Sequence, residues 1–396
     1  MDRRVITFQW LQLLVLSAVH FLVDMFSNML PSILPAMRQE FRLSLSLAGF
    51  VLVVLVMTGN GAQLVTGHLR ADKTKPLFMH LGLILAASIC LLGALPRAGG
   101  FSAMVALAVV SGFGIAVAHP EGLRAVHSLA LIPPAISTAV FMAGGFVGFA
   151  CGGIISTVLV SRFGLQGLYW LAACPVAIVL MVGLLKVRLA VEPKSNRPDR
   201  TSSAQNPVSF WSIIAMAIPA AISTTILVSL LPTRLNELGF ELTFGGFSAT
   251  MFGLGGALGS FVWAGIAHRK GELPSSIAAL SLVPAFLLAY LLLIERRPAV
   301  WLLFGGGFCS IAAYILMITL ARRATGPTLG LRMAFMVGGT WALANIVFMA
   351  ALPIAERFGT HVVLKLVPLG YLFSGLLGLQ VMLRARQARQ CEISPA

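Results

Sequence analysis

The chain has 396 residues, of which 58% are hydrophobic and only 10% charged, whereas soluble domains run roughly 45–50% apolar and about 25% charged. With a mean hydropathy of +0.93, this excludes an ordinary soluble enzyme, a disordered chain and a disulfide-stapled module: the chain is built for lipid. The net charge is +15, from 28 Lys and Arg against 13 Asp and Glu. The basic residues sit in short breaks between apolar runs, not in a stripe interleaved with aromatics, so no nucleic-acid partner is expected.

A bilayer core of about 30 Å takes roughly 20 apolar residues as a helix. Twelve such runs follow one another, near 9–36, 46–69, 76–95, 101–119, 133–161, 165–187, 208–232, 244–267, 274–294, 298–320, 328–354 and 361–383. The first is too long for a cleavable signal peptide and is expected to remain as a span. It carries His20 and Asp24 at i, i+4, on one helix face. A carboxylate at a helix centre costs about 2.5–3.5 kcal/mol on insertion scales, so it normally faces a cavity and marks a pathway. Asp24 lies about fifteen residues into its run, roughly 22 Å along the axis at 1.5 Å per residue. A carboxyl that deep suits proton exchange, and His20 one turn earlier can share the proton.

Gly67 to Lys73 links the second and third runs. A turn this short needs glycine at a close approach, and its acid, Asp72, can favour a neighbouring helix N-terminus. The fourth run closes on Ala118-His119-Pro120-Glu121-Gly122-Leu123-Arg124. Glu121 and Arg124, at i, i+3, can pair. By spacing alone the segment reads equally as the charged lip of a cavity or as a solvated helix end. Gly144, Gly145, Gly148, Gly152 and Gly153 mark the fifth run, where glycines four apart let a second backbone approach.

Residues 187–207, polar and rich in Pro, Ser and charge, read as a flexible linker that parts the runs six and six. The two halves echo each other. Met57, Gly59 and Gly61 recur as Met251, Gly253 and Gly255. Phe141-Met142-Ala143-Gly144-Gly145 recurs as Phe335-Met336-Val337-Gly338-Gly339, at the same offset. Such parallel repeats fit two six-helix bundles related by an axis along the membrane normal. Arg332, a few residues into the eleventh run, must either snorkel to the interface or meet an anion. With the N-terminus inside, the cytoplasmic segments hold 18 Lys and Arg and the outer loops 8, which puts both termini and the linker in the cytoplasm. There is no P-loop signature and no metal-ligand spacing.

At these residues the sequence resembles the fosmidomycin-resistance-type transporters of the major facilitator superfamily. HFLVDMFSNMLPSILPAMRQEFRLSLSLAGF, from His20 to Phe50, and VSGFGIAVAHPEGLRA, from Val110 to Ala125, carry the resemblance, together with the glycine run from Gly144. It implies alternating access and proton-driven export of small, often drug-like compounds, with His20, Asp24, His119, Glu121 and Arg124 as cavity residues.

The reading is then an all-α integral membrane protein with twelve transmembrane helices in two six-helix bundles, the major facilitator fold. The bundles are 1–186 and 208–396, the latter with a short cytoplasmic tail, joined by the linker 187–207. Proton coupling is assigned to Asp24, His20 and Glu121, and the substrate cavity to His20, Asp24, His119, Arg124 and Arg332. Conformational gating falls to Gly67, Asp72 and Lys73, and helix packing to Gly144, Gly145, Gly148 and Gly152. The expected partners are a small organic molecule, protons and the lipid bilayer. The chain is expected to act as a monomer in a bacterial inner membrane, with no cofactor, metal or enzymatic chemistry. The same fold also admits metabolite uptake, or a sensor or assembly role without transport.

Overall fold

In lipid a backbone N–H or C=O has no water to turn to, so each apolar run closes its own hydrogen bonds as a helix. The computed structural model describes residues 3–69, 72–97, 99–191 and 208–393. Among these the helices are α1 (Arg3–Asn28), α2 (Leu30–Phe41), α3 (Leu45–Leu69), α4 (Leu77–Ala86), α5 (Phe101–His127), α6 (Pro134–Phe163), α7 (Tyr169–Leu184), α8 (Phe210–Glu237), α9 (Leu242–Lys270), α10 (Glu272–Leu292), α11 (Val300–Arg322), α12 (Leu329–Ala334), α13 (Thr340–Phe358) and α14 (Thr360–Ile393). The described residues form no strand beyond an isolated bridge between Ser209 and Thr325.

Eleven described stretches are long and apolar enough to cross a bilayer, and one of them, Ile136–Leu184, runs 49 residues. It holds both α6 and α7, parted where Gly164 takes a φ of +63°. The twelve apolar runs therefore map onto twelve helical passes. Three passes are built in pieces: α1 with α2, α4 with the 3-10 segment Ala87–Ala94, and α12 with α13 through the π-turn Phe335–Gly339.

The breaks have local causes. Pro31, in the first turn of α2, lacks the N–H that would bond the Ser27 carbonyl, so the first pass is interrupted at Met29. Ser27 turns its hydroxyl back to the Asp24 carbonyl at 3.1 Å. The break thus falls one turn beyond the acid. At the π-turn, the Met336 carbonyl accepts from both the Tyr314 and Thr340 hydroxyls, which satisfies a backbone group that a widened turn leaves exposed.

The chain divides into two compact units, one of Met1–Lys194 with Leu231–Gly253, the other of Ser195–Leu230 with Leu254–Ala396. In the first, α1 packs on α5, α6 and α7, and both α3 and α4 pack on α5. Leu231–Gly253, which the sequence places in the second bundle, groups here because Gly246 meets the Gly153 carbonyl and Thr157, and the Ile154 N–H donates to Thr250 Oγ1 at 3.2 Å. In the second unit α10 packs on α11 and α14, and Gly255 and Gly259 of α9 lie against the Phe304 and Phe308 carbonyls of α11. Its buried polar knot is neutral: Tyr371 Oη meets Thr224 Oγ1 at 2.6 Å and Ser310 Oγ at 2.8 Å.

Candidate functional site

Two helices of the first unit bring three chemistry-bearing side chains together. His20 and Asp24 share a face of α1, with His20 Nε2 3.3 Å from Asp24 Oδ2. His119, from α5, sets its Nε2 3.0 Å from the other carboxylate oxygen, Oδ1. One carboxylate thus bridges two imidazoles, whose rings lie edge to face with centroids 5.2 Å apart. His20 is buried, while Asp24 and His119 keep 21% and 20% of their side-chain surface open.

The far side of each ring fixes its chemistry. His20 Nδ1 lies 3.0 Å from the Phe141 carbonyl, and His119 Nδ1 lies 3.0 Å from the Ile115 carbonyl. A carbonyl oxygen only accepts, so both Nδ1 atoms carry their hydrogen and both Nε2 atoms face the carboxylate. A neutral imidazole would then point a lone pair at a carboxylate oxygen. Each of the two contacts becomes a hydrogen bond only with a proton between nitrogen and oxygen. The fully closed cluster therefore holds two protons and a single net positive charge; emptied of both, it holds a single negative charge and two repulsive contacts. Proton occupancy and side-chain geometry are coupled by construction. The three ligating atoms also lie within 4.8 Å of one another. Two imidazoles with carbonyl-anchored Nδ1 atoms and one carboxylate form a donor set that suits a divalent transition metal ion. Sequence spacing shows no such cluster because His119 arrives from a different helix.

The wall of the cluster is α6, which comes close to α1 along a seam of glycines. Without a hydrophobic drive between helices in lipid, contact depends on small residues and hydrogen bonds. Gly144, Gly148 and Gly152 of α6 face the carbonyls of Ser17, Phe21 and Met25 of α1, both sets at four-residue spacing. Side chains of α1 hydrogen-bond along the same seam: Ser17 Oγ to the Val140 carbonyl at 3.3 Å and Asn28 Nδ2 to the Phe149 carbonyl at 2.8 Å. Gly145 forms the wall of the site itself. A Cβ there would sit 2.5 Å from His20 Cε1 and 2.6 Å from Asp24 Oδ2. The Phe141 ring stacks on His20 at 4.3 Å. Sequence reasoning passed over Phe141 as a site residue, although it heads the repeated pentapeptide.

Glu121 and Arg124 do not join the cluster. Pro76, at the N-cap of α4, has no side-chain acceptor; Glu121 supplies one from α5, taking the Met79 N–H at 2.9 Å. The buried Arg124 donates from Nη2 to the Lys73 carbonyl at 2.7 Å and to the Ala190 carbonyl at 2.8 Å. It clasps the α3–α4 turn to the chain leaving α7. Asp72 and Lys73 are exposed and pair at 2.9 Å. Gly67 is in the last turn of α3, and its surroundings lie outside the described residues. Arg332, in the second unit, is buried in α12 and donates from Nη2 to the Arg322 carbonyl at the end of α11, at 3.2 Å.

Glu121 therefore has a testable structural duty. Glu121→Gln keeps an acceptor but loses the charge at a helix N-terminus, a cost of about 0.3–2 kcal/mol. Glu121→Ala also strands a buried N–H, about 1–3 kcal/mol. Melting temperatures in detergent are expected to fall in the order wild type, Gln, Ala; equal values would remove the capping role.

Comparison with known proteins agrees with this architecture. The family model described as Major Facilitator Superfamily matches residues 16–349. The chain is 22% identical over 193 residues to the fosmidomycin resistance protein of Escherichia coli (strain K12), which covers 49% of this chain and 47% of that protein. It is 25% identical over 158 residues to YfnC of Bacillus subtilis (strain 168), an uncharacterized MFS-type transporter, covering 40% and 38% respectively. These matches span less than half the length of the curated relatives. Among solved structures, a bacterial homologue of the human lysosomal transporter Spinster, inward-facing and unoccupied, superposes with a TM-score of 0.70 at 14% identity over 96% of this chain and 98% of that one. The nucleoside transporter NupG gives 0.71 at 14% identity, over 94% and 99%. At such identities the likeness is one of fold. With a family match over most of its length and a helical architecture shared with solved structures, the chain belongs to the Major Facilitator Superfamily and is a multi-pass membrane protein.

Proposed function

We propose that this protein is a secondary transporter, a proton-coupled exporter of a small organic molecule, with Asp24, bridged to His20 and His119, as the proton-exchanging centre. The observation that carries this reading is the cluster itself. Asp24 and His119 stand on different helices and need a proton between them, so loading and unloading change how well α1 and α5 fit together. A ligand that binds one arrangement better shifts the balance between the two. Export follows from the name of the E. coli relative, since resistance is gained when a compound is removed. Substrate is assigned to the surroundings of His20, Asp24 and His119. Transport by alternating access uses the bundles 1–186 and 208–396, gated by Gly67, Asp72 and Lys73. Glu121 and Arg124 move from the proton and cavity roles to holding α4 and the chain beyond α7. The transporter works as a monomer.

Fosmidomycin is the first probe. In everted membrane vesicles acidified inside, it is expected to accumulate, an ionophore should abolish accumulation, and a chelator should leave it unchanged. Accumulation that ignores the ionophore contradicts proton coupling. Accumulation lost to the chelator assigns the same three ligands to a metal ion instead.

The excess of Lys and Arg in alternate loops predicts that reporters placed within 187–207 and at the C-terminus both report the cytoplasm of a bacterial cell, with the chain in its inner membrane. A reporter on the outer face at either place would reverse the orientation.

A further inference from the structure

We propose that the first unit carries a binding site for the phosphate-bearing headgroup of an anionic phospholipid, between the first turn of α4 and the end of α7. A cavity of about 650 Å³ opens there, and the charged side chains that line it are Lys73, Lys75, Lys186 and Arg188, with no carboxylate among the described lining residues. Asp72 offsets Lys73 from outside the cavity. Bringing Lys186 and Arg188 to the rim of one hollow is unfavourable unless an anion lies between them.

The site is built, not incidental. Its two walls are tied across by the Leu189 N–H to the Thr74 carbonyl at 2.8 Å and by the buried Arg124, which holds the Lys73 and Ala190 carbonyls together. Lys186 ends α7 in the left-handed region, φ +48°. Its N–H bonds the Gly183 carbonyl at 3.0 Å, and the Val187 N–H bonds the Val182 carbonyl at 3.2 Å. This is a helix stop at which glycine is the ordinary residue. A lysine there gives up backbone comfort to place a charge on the rim.

The apolar surroundings choose the occupant. Leu77, Leu81 and Ile84 form one exposed stripe on α4, and Val176, Leu180 and Leu184 form one on α7. Both stripes run away from the cavity, on helices that pack together. A two-chain amphiphile can seat its phosphate among the cations and lay its acyl chains along these stripes, which a soluble anion cannot use. Basic pockets at the ends of transmembrane helices recognise anionic headgroups in this manner.

The test uses the purified full-length chain in mixed micelles with equal amounts of phosphatidylglycerol and phosphatidylcholine, and reads retained lipid by native mass spectrometry. Phosphatidylglycerol is expected to be retained preferentially. Lys186→Gly and Arg188→Gln should each lower its retention about fivefold, and the pair about twenty-fivefold. Lys186→Gly also places glycine where the backbone favours it, so the melting temperature should hold or rise while lipid is lost; this separates binding from folding. The pair Arg269→Gln and Lys270→Gln, at the end of α9, serves as the charge-matched control and should change nothing. Equal retention of the two lipids, or undiminished retention in the double variant, overturns the proposal. Displacement of the lipid by inorganic phosphate at millimolar concentration overturns the lipid source in favour of a soluble anion.

Discussion

Asp24→Asn is expected to abolish proton movement while leaving the protein folded and able to bind its substrate. An amide has the carboxyl group's shape and can donate to one imidazole Nε2 without any added proton. It therefore closes one of the two contacts permanently, leaves its oxygen facing the other imidazole, and itself has no proton to hand to either side of the membrane. Gradient-driven transport should fall to background, while exchange of substrate for substrate persists. Asp24→Ala should behave differently. It leaves both Nε2 atoms without their partner, about 1–3 kcal/mol for a stranded buried polar group, so the loss should show first as a lower melting temperature. If Asp24→Asn keeps full proton coupling, Asp24 leaves the mechanism.

Gly148→Val is expected to prevent assembly of the first unit. Any Cβ at this position would press into the Phe21 carbonyl, which belongs to a helix backbone and cannot swing aside as a side chain can. Overpacking a core typically costs about 1–3 kcal/mol. Here the clash falls in the middle of the seam that aligns Ser17, Phe21 and Met25 with α6, so α1 must separate from α6 and carry Asp24 with it. Gly265→Ala, at a helical glycine with nothing within 4 Å, is the control. It should gain about 0.5–1 kcal/mol from backbone entropy. Yield of monodisperse protein and melting temperature distinguish the two; equal behaviour would show that α6 does not need its glycines.

Much of this was legible in the sequence, for identifiable reasons. Twelve apolar runs each span a bilayer, and lipid leaves such runs no alternative to helix. His20 and Asp24 were paired because i, i+4 places them on one face, and a repeated pentapeptide marked the neighbourhood of Phe141 and Gly145. What the sequence could not show was the partner from another helix. His119 meets Asp24 only because α5 packs on α1, and nothing within α5 announces that contact. Grouping Glu121 and Arg124 with His119 as cavity residues is what the family resemblance implies. At 100° per residue they stand about 200° and 140° round the helix from it, which places them on other faces. The same arithmetic separates the residue that meets Asp24 from those that hold the ends of α4 and α7. The two repeated pentapeptides also diverge: Phe141 to Gly145 frame a charged cluster, whereas Phe335 to Gly339 form a π-turn bonded by hydroxyls. The motif serves helix approach beside titratable groups in the first unit and a π-turn in the second.

The central claim is that the cluster of Asp24, His20 and His119 gains and loses a proton inside the membrane. Infrared difference spectroscopy of the wild type and Asp24→Asn across a range of pH measures this without knowledge of the substrate. The account predicts carboxylate and imidazole bands that shift together with pH in the wild type, with the carboxylate component missing from the variant. Identical difference spectra from the two proteins would contradict it.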